Sequence, residues 1–179
     1  MDSSMQFQIT ETIYVVDDTE PDAELVMQRH YEELGYSVIN NAASILVRPG
    51  ETHKTDEWGI IERIVGKDRI AWATQFSNRL LTADGAHNNA PGHPDLFVYK
   101  DDGSKWFFVE VKQRNDYLKL GGMIGISMLH AMFDTRVEIA RVNRSYEEKH
   151  SRARTYRWVW PCIQELNSTQ EYIDPNAGE

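Results

Sequence analysis

Three side chains within GHPDLFVYKDDGSKWFFVEVKQRNDYL (residues 92–118) have the types needed to handle a phosphate ester: Asp95, Glu110 and Lys112. Two carboxylates brought close together repel unless one takes a proton or a cation sits between them. A hard divalent ion held by carboxylate oxygens, a backbone carbonyl and water resolves that conflict. Mg²⁺ characteristically uses one or two carboxylates alongside substrate phosphates. An ammonium beside them can orient an attacking water or steady charge developing on a phosphate. Asp95 and Glu110 are distant in the chain, so this chemistry depends on the element that would bring them together.

That element is a β-hairpin. Leu96–Lys100 and Lys105–Lys112 are rich in aromatic and β-branched residues, and Asp102-Gly103 lies between them. Asp-Gly is a strong two-residue hairpin signal, because a type I′ turn needs positive φ at both positions. With that loop, Tyr99 faces Trp106, Phe97 faces Phe108 and Asp95 faces Glu110. A four-residue loop keeps the same pairing, whereas a three-residue loop shifts it by one and needs a bulge. Lys112 lies two residues past Glu110 and so points to the same face. Apolar residues occupy both faces otherwise, with Phe97, Tyr99, Trp106 and Phe108 on one and Leu96, Val98, Phe107, Val109 and Val111 on the other. A sheet apolar on both sides is covered on both sides, so the expected class is α/β, a mixed central sheet flanked by helices.

The remaining elements follow from spacing and punctuation. Ile13–Val16 reads as an edge strand. Thr19 and Asp22 resemble a capping box ahead of a helix over 20–34 that stops at Gly35. Tyr36–Asn40 and Ser44–Arg48 read as short strands closed by Pro49-Gly50. A helix capped by Thr55 runs to Gly66, and a second covers about 68–81, with Trp72, Phe76, Leu80 and Leu81 as its buried side. Thr82–Gly92 reads as a loop. Then come the two hairpin strands, a helix over 118–133, a strand over Arg136–Val142 and another over Thr155–Trp160. Residues 166–179 read as a loose tail.

A length of 179 residues suits one domain with an ordinary core. A hydrophobic content of 41% argues against a disordered chain. The single cysteine, Cys162, excludes an internal disulfide framework and a Cys-rich zinc site, so a reducing cytoplasm is the expected setting. The most apolar stretch, Leu118–Phe133, is shorter than the ~20 residues needed to span a bilayer and contains Lys119 and His130. The N-terminus has no positive start and no apolar signal core. A net charge of −9 speaks against nucleic acid as a partner, but its distribution is uneven. Residues 1–33 hold nine acidic side chains against Arg29 alone, whereas 141–157 holds Arg141, Arg144, Lys149, Arg152, Arg154 and Arg157 against Glu147 and Glu148. That basic stretch is a candidate track for a phosphate backbone.

Pro94-Asp95 followed after a hairpin by Glu110-Val111-Lys112 resembles the PD-(D/E)XK nuclease superfamily. The fuller pattern, G-x-P-D-L with E-V-K and a following D-x-L, is similar to its virus-type replication-repair nucleases and, more loosely, to Holliday-junction resolvases. The resemblance covers about 90–142 and, more loosely, 19–48. It implies a restriction-endonuclease-like core with the helices of 55–81 as an insertion. It also implies an endonuclease that hydrolyses phosphodiester bonds in DNA with Mg²⁺, for which Mn²⁺ can substitute. Asp95, Glu110 and the Val111 carbonyl would be metal ligands, Lys112 the catalytic lysine and Glu24 an added acidic ligand. Two departures stand out: Gly121, Gly122 and Met123 occupy the helix region where relatives often carry Gln or Lys, and Gln113 follows the lysine where Gly is common.

Nucleic-acid contacts are expected from His93, Arg114, Lys119, Arg141, Arg144, Arg152 and Arg154. His87 reads more simply as a solvated loop residue, His130 as a satisfied core histidine, Trp158 and Trp160 as core rather than a base-stacking platform, and Cys162 as buried. A homodimer suits cuts on two strands, and RNA stays open as a substrate. Pro-Asp alone is ordinary turn chemistry, and E-x-K alone is common on a solvated strand edge, so a surface ion cluster is the bland reading. Two competing functions follow: the same fold holding nucleic acid or a protein partner without turnover, and a metal-dependent hydrolase of small phosphorylated molecules.

Overall fold

The computed structural model describes residues 5–17, 19–41, 45–46, 56–83, 91–113, 115–146 and 152–160. Its organising element is the hairpin of β4 (Leu96–Tyr99) and β5 (Trp106–Gln113), paired as Leu96↔Val109, Phe97↔Phe108 and Tyr99↔Trp106. The register is the expected one, but the turn is longer. Lys100 N–H bonds the Lys105 carbonyl at 2.8 Å and Gly103 N–H bonds the Lys100 carbonyl at 2.8 Å, so the loop is Asp101–Ser104. Only Gly103 has positive φ (+72°), so this is not a type I′ turn. Pairing survives because a four-residue loop keeps the same sum.

Around the hairpin, β3 (Ser37–Asn40) pairs antiparallel with β4, and β6 (Val137–Arg144) pairs parallel with β5. The edge strand β2 (Thr12–Val16) pairs parallel with β6. The five-stranded order is β2-β6-β5-β4-β3. A separate antiparallel pair joins β1 (Met5–Thr10) to β7 (Thr155–Trp160). β1 was absent from the expected elements, although Gln6-Phe7-Gln8-Ile9 alternates with the period of a half-buried strand.

Helix α1 (Ala23–Glu33) covers one face of the sheet, where Ala23, Val26, Met27 and Tyr31 pack with Leu96, Val98, Val109, Val111 and Ala140. Its N-cap is Asp22, which accepts from Glu24 N–H and Leu25 N–H at 2.9 and 3.4 Å, so Thr19 is not the cap. The other face carries α2 (Asp56–Val65), α3 (Lys67–Ala83) and α4 (Leu120–Phe133), packed on Phe97, Phe108 and Ile139. Burial on nearly every side sustains α4 despite three glycines, each a poor helix former. This mixed sheet with helices on both faces is the expected α/β architecture, consistent with a restriction-endonuclease-like core.

Three expectations need correction. Ile45 and Leu46 lie in a buried turn rather than a strand. Helix α3 turns Ile70, Ala73 and Ser77 inward, leaving Trp72 51% and Phe76 39% exposed as a stacked pair. Its packing on α4 and α2 selects the smaller side chains. Thr82 and Ala83 close α3 instead of opening a loop. Thr55, Pro49-Gly50, His87, Cys162 and the tail 166–179 lie outside the described residues. No helix among the described residues is long and apolar enough to cross a membrane.

Candidate active site

The acidic end of the hairpin follows from how its hydrogen bonding runs out. Lys100 and Lys105 form a hydrogen-bonded pair. In an antiparallel ladder such pairs alternate, falling next at Val98·Phe107 and Leu96·Val109, and the ladder would continue at Pro94·Val111. Proline has no N–H to give the Val111 carbonyl, and the Pro94 carbonyl lies 2.9 Å from His93 Nδ1. The Val111 N–H turns instead to Asp95 Oδ2, 2.6 Å away, while the Asp95 carbonyl accepts from Asn41 N–H at 2.8 Å. Pro-Asp at this place thus ends the ladder and replaces its last carbonyl with a carboxylate.

Lys112 Nζ lies 2.5 Å from Glu110 Oε1 and 3.2 Å from the Val111 carbonyl oxygen, with both ionic side chains largely buried. Burial, then the charge of Asp95, pushes Glu110 up to about 7. Asp95 is likewise raised by burial, although the Val111 N–H and Lys112 oppose the shift. Glu24, in the first turn of α1, is raised by burial and next by the charge of Asp95. Burial alone would lower Lys112, but Glu110 and Asp95 outweigh it and hold the amine above its ordinary value. The fold therefore gathers Asp95, Glu110 and Lys112, with Glu24 in electrostatic reach. Asp116 also acts on this cluster, pushing Asp95 and Lys112 up. The sequence signalled it only through the D-x-L pattern.

This donor set suits a hard divalent ion: carboxylate oxygens, the Val111 carbonyl, and more negative charge than one amine can balance. Among the described residues no three His, Cys, Asp or Glu side chains form a ready-made metal cage. An ion here would complete its shell with water and substrate oxygens, which is the habit of Mg²⁺.

The expected nucleic-acid contacts divide. Arg141 is fully buried, with its guanidinium on Glu11 at 2.5 and 2.6 Å. Arg144 is 5% exposed and donates to the Glu20 carbonyl at 2.6 Å. Both belong to the interior, because β6 lies inside the sheet and its basic residues are held there by acceptors on neighbouring segments. Arg154 is partly buried and donates to the Asp116 carbonyl at 2.7 Å, whereas Arg152 and Lys119 are exposed. His93 packs its ring against Phe108, with Nδ1 2.9 Å from the Pro94 carbonyl. His130 is exposed rather than core, its Nδ1 3.0 Å from the Thr135 carbonyl just past the end of α4. Trp158 is buried, as expected, and so is Tyr156 on the same strand. Arg114 lies outside the described residues.

The glycines of α4 were visible in the sequence only as a departure from the family pattern. They touch the loop that leads into Asp95: Gly92 N–H bonds the Gly121 carbonyl at 2.6 Å. Backbone meets backbone there, and no side chain on either segment signals it.

No protein-family model matches the sequence, and no curated protein matches it. Among solved structures, one similarity is to the crystal structure of paFAN1 bound to 2-nt 5′-flap DNA with a gap. The TM-score is 0.47 at 14% identity, over 78% of this chain and 38% of that one.

Proposed function

We propose that this chain, as one domain, is a divalent-metal-dependent nuclease that hydrolyses phosphodiester bonds in DNA. The observation that carries the reading is the excess of buried negative charge at the end of the β4–β5 hairpin, with Glu110 raised to about 7 beside the Lys112 amine. Such an excess is costly to the fold and is relieved by a bound cation. Asp95, Glu110 and the Val111 carbonyl would hold Mg²⁺ or Mn²⁺, with Glu24 as a further carboxylate. The ion supplies charge neutralisation at the scissile phosphate and a water made more acidic. Lys112, anchored on Glu110, is placed to orient the attacking water and to offset charge on the phosphate oxygens. Exposed Lys119 and Arg152 supply positive charge for the DNA backbone. The choice of DNA rests on the resemblance of the P-D and E-V-K pattern.

The test is cleavage of plasmid, branched and single-stranded DNA with Mg²⁺, with Mn²⁺ and with EDTA. Lys112→Ala should fold normally and lose about a thousandfold in rate, in the range of a positioned charge or proton-transfer group. Equal activity with and without that lysine overturns the assignment. One observation favours the competing reading of a binding module without turnover: Gly122 offers Glu110 no polar side chain, and a Cβ there would sit 4.0 Å from Glu110 Oε1. Metal-dependent cutting that disappears in Asp95→Ala eliminates that alternative.

A further inference from the structure

Asp95 does not sit at its place because of the strand alone. It enters β4 from the loop Gly92-His93-Pro94, and that loop lies directly on α4. Gly92 N–H bonds the Gly121 carbonyl at 2.6 Å. A Cβ on Gly92 would come within 2.9 Å of the Gly122 backbone, and a Cβ on Gly125 would lie 1.8 Å from the Gly92 carbonyl oxygen. Any side chain at Gly125 must therefore push the loop outward or bend the helix. Three residues along from Gly92, Asp95 Oδ2 meets the Val111 N–H at 2.6 Å.

We propose that the seat of Gly92 on Gly121, Gly122 and Gly125 is a depth stop that sets Asp95 against Val111 and beside Glu110. Gly92 and Gly125, where a side chain would force the two segments apart, are positioning residues for the acidic site. The part of the proposal that concerns metal and cleavage rests on the nuclease reading above; the part that concerns Asp95 does not. The arrangement also accounts for Gly125 inside a helix, where glycine weakens the local structure. A side chain at Gly125 could not let the backbone of the loop approach so closely.

The experiment uses the full chain and two readouts. The first is exchange of the Val111 amide with deuterium, followed by NMR, which reports its bond to Asp95 whether or not the protein is an enzyme. The second is the Mn²⁺ concentration needed for half-maximal DNA cleavage. Gly125→Ala should speed Val111 exchange by about tenfold or more while Phe108, deeper in the same strand, keeps its protection. It should also raise the Mn²⁺ requirement by about tenfold, as expected when a supporting contact of a metal site is lost. The control is Gly59→Ala on α2, where a Cβ meets nothing within 4 Å and neither readout should move. If Gly125→Ala fails to fold, Gly92→Ala, whose overlap is milder, carries the same two readouts.

Unchanged Val111 exchange in a folded variant overturns the depth stop, whatever the activity. Faster Val111 exchange with an unchanged Mn²⁺ requirement overturns its link to the metal site. A wild-type protein that neither binds Mn²⁺ nor cuts DNA overturns the nuclease reading and leaves the exchange result to decide the positioning of Asp95 alone.

Discussion

Lys112 and Arg141 are register partners on β5 and β6, and each meets a buried carboxylate under opposite circumstances. Arg141 and Glu11 are both fully buried, and the remaining lone pairs of Glu11 accept from Tyr156 OH at 2.8 Å and Arg154 N–H at 3.0 Å. Arg141 also donates to the Asp116 carbonyl at 2.7 Å. Burial pushes Glu11 up, but Arg141 and the other donors outweigh it and hold the carboxyl below its ordinary value. One cation meets one anion there, and donors surround the anion. Beside it, the Lys112 amine faces Glu110, with Asp95 and Glu24 close enough to raise that carboxyl further. The first cluster is balanced and ties together β6, β7 and the residue joining β1 to β2. The second is left with negative charge that only a proton or an added cation can neutralise. Burial is common to both, so charge balance separates a structural ion pair from a candidate site.

The largest effect should come from breaking the balanced pair. Arg141→Ala leaves Glu11 buried without its partner and should cost about 3–5 kcal/mol, read as a lower urea midpoint at unchanged m-value. Lys112→Ala should cost markedly less at pH 7, because Glu110 already titrates near neutrality and can take a proton instead. Equal losses in the two variants would erase the distinction.

Next in size is a contrast in pH dependence. Folding raises Glu110 from 4.5 to about 7, so the native state binds its proton more tightly than the unfolded chain. Its stabilising contribution is fully present below about pH 4.5 and is lost as pH rises through 7. Metal-free Glu110→Gln should therefore be more stable than wild type at pH 8, by at most about 3 kcal/mol, with no advantage near pH 4.5. Glu11 has the opposite sign. Its folded value is depressed, so its contribution is present above pH 4.5 and lost as pH falls through the folded value. Glu11→Gln should destabilise at pH 8. Thermal melts of both variants from pH 4 to 8 without metal check the two slopes together.

The acidic cluster was legible in the sequence because a hairpin register is local arithmetic. The aromatic strands and an Asp-Gly turn set the register from Leu96↔Val109 to Tyr99↔Trp106 even though the turn type differs, since a four-residue loop preserves the pairing. That register brings Asp95 onto the Val111 N–H and within electrostatic reach of Glu110. The Glu11–Arg141 cluster was not legible. Its members come from β6, β7 and the junction of β1 with β2, and nothing local marks Arg141 as different from an arginine facing water. Arg141 and Arg144 therefore read as part of a basic phosphate track. The inward side of α3 was misplaced for a similar reason: the largest side chains define the sequence pattern, whereas packing against α4 selects Ile70, Ala73 and Ser77. The Gly92 seat on α4 is backbone against backbone, and such contacts leave only glycines in the sequence.

The smallest expected effect separates the two clusters most directly. A ligand that binds only the native state stabilises it by RT ln(1 + [L]/Kd), about 1.4 kcal/mol at ten times Kd. Mn²⁺ at that concentration should raise the melting temperature of the wild type, and the rise should vanish in Asp95→Asn. In Glu11→Gln the increment should persist on a lower baseline, because that carboxylate is already fully engaged and offers a cation nothing. The increment should also grow from pH 6 to pH 8, since Mn²⁺ must displace the proton that Glu110 holds up to about pH 7. A Mn²⁺ shift that is independent of pH, or that survives Asp95→Asn, would place the ion elsewhere and leave the excess charge at the hairpin without its proposed use.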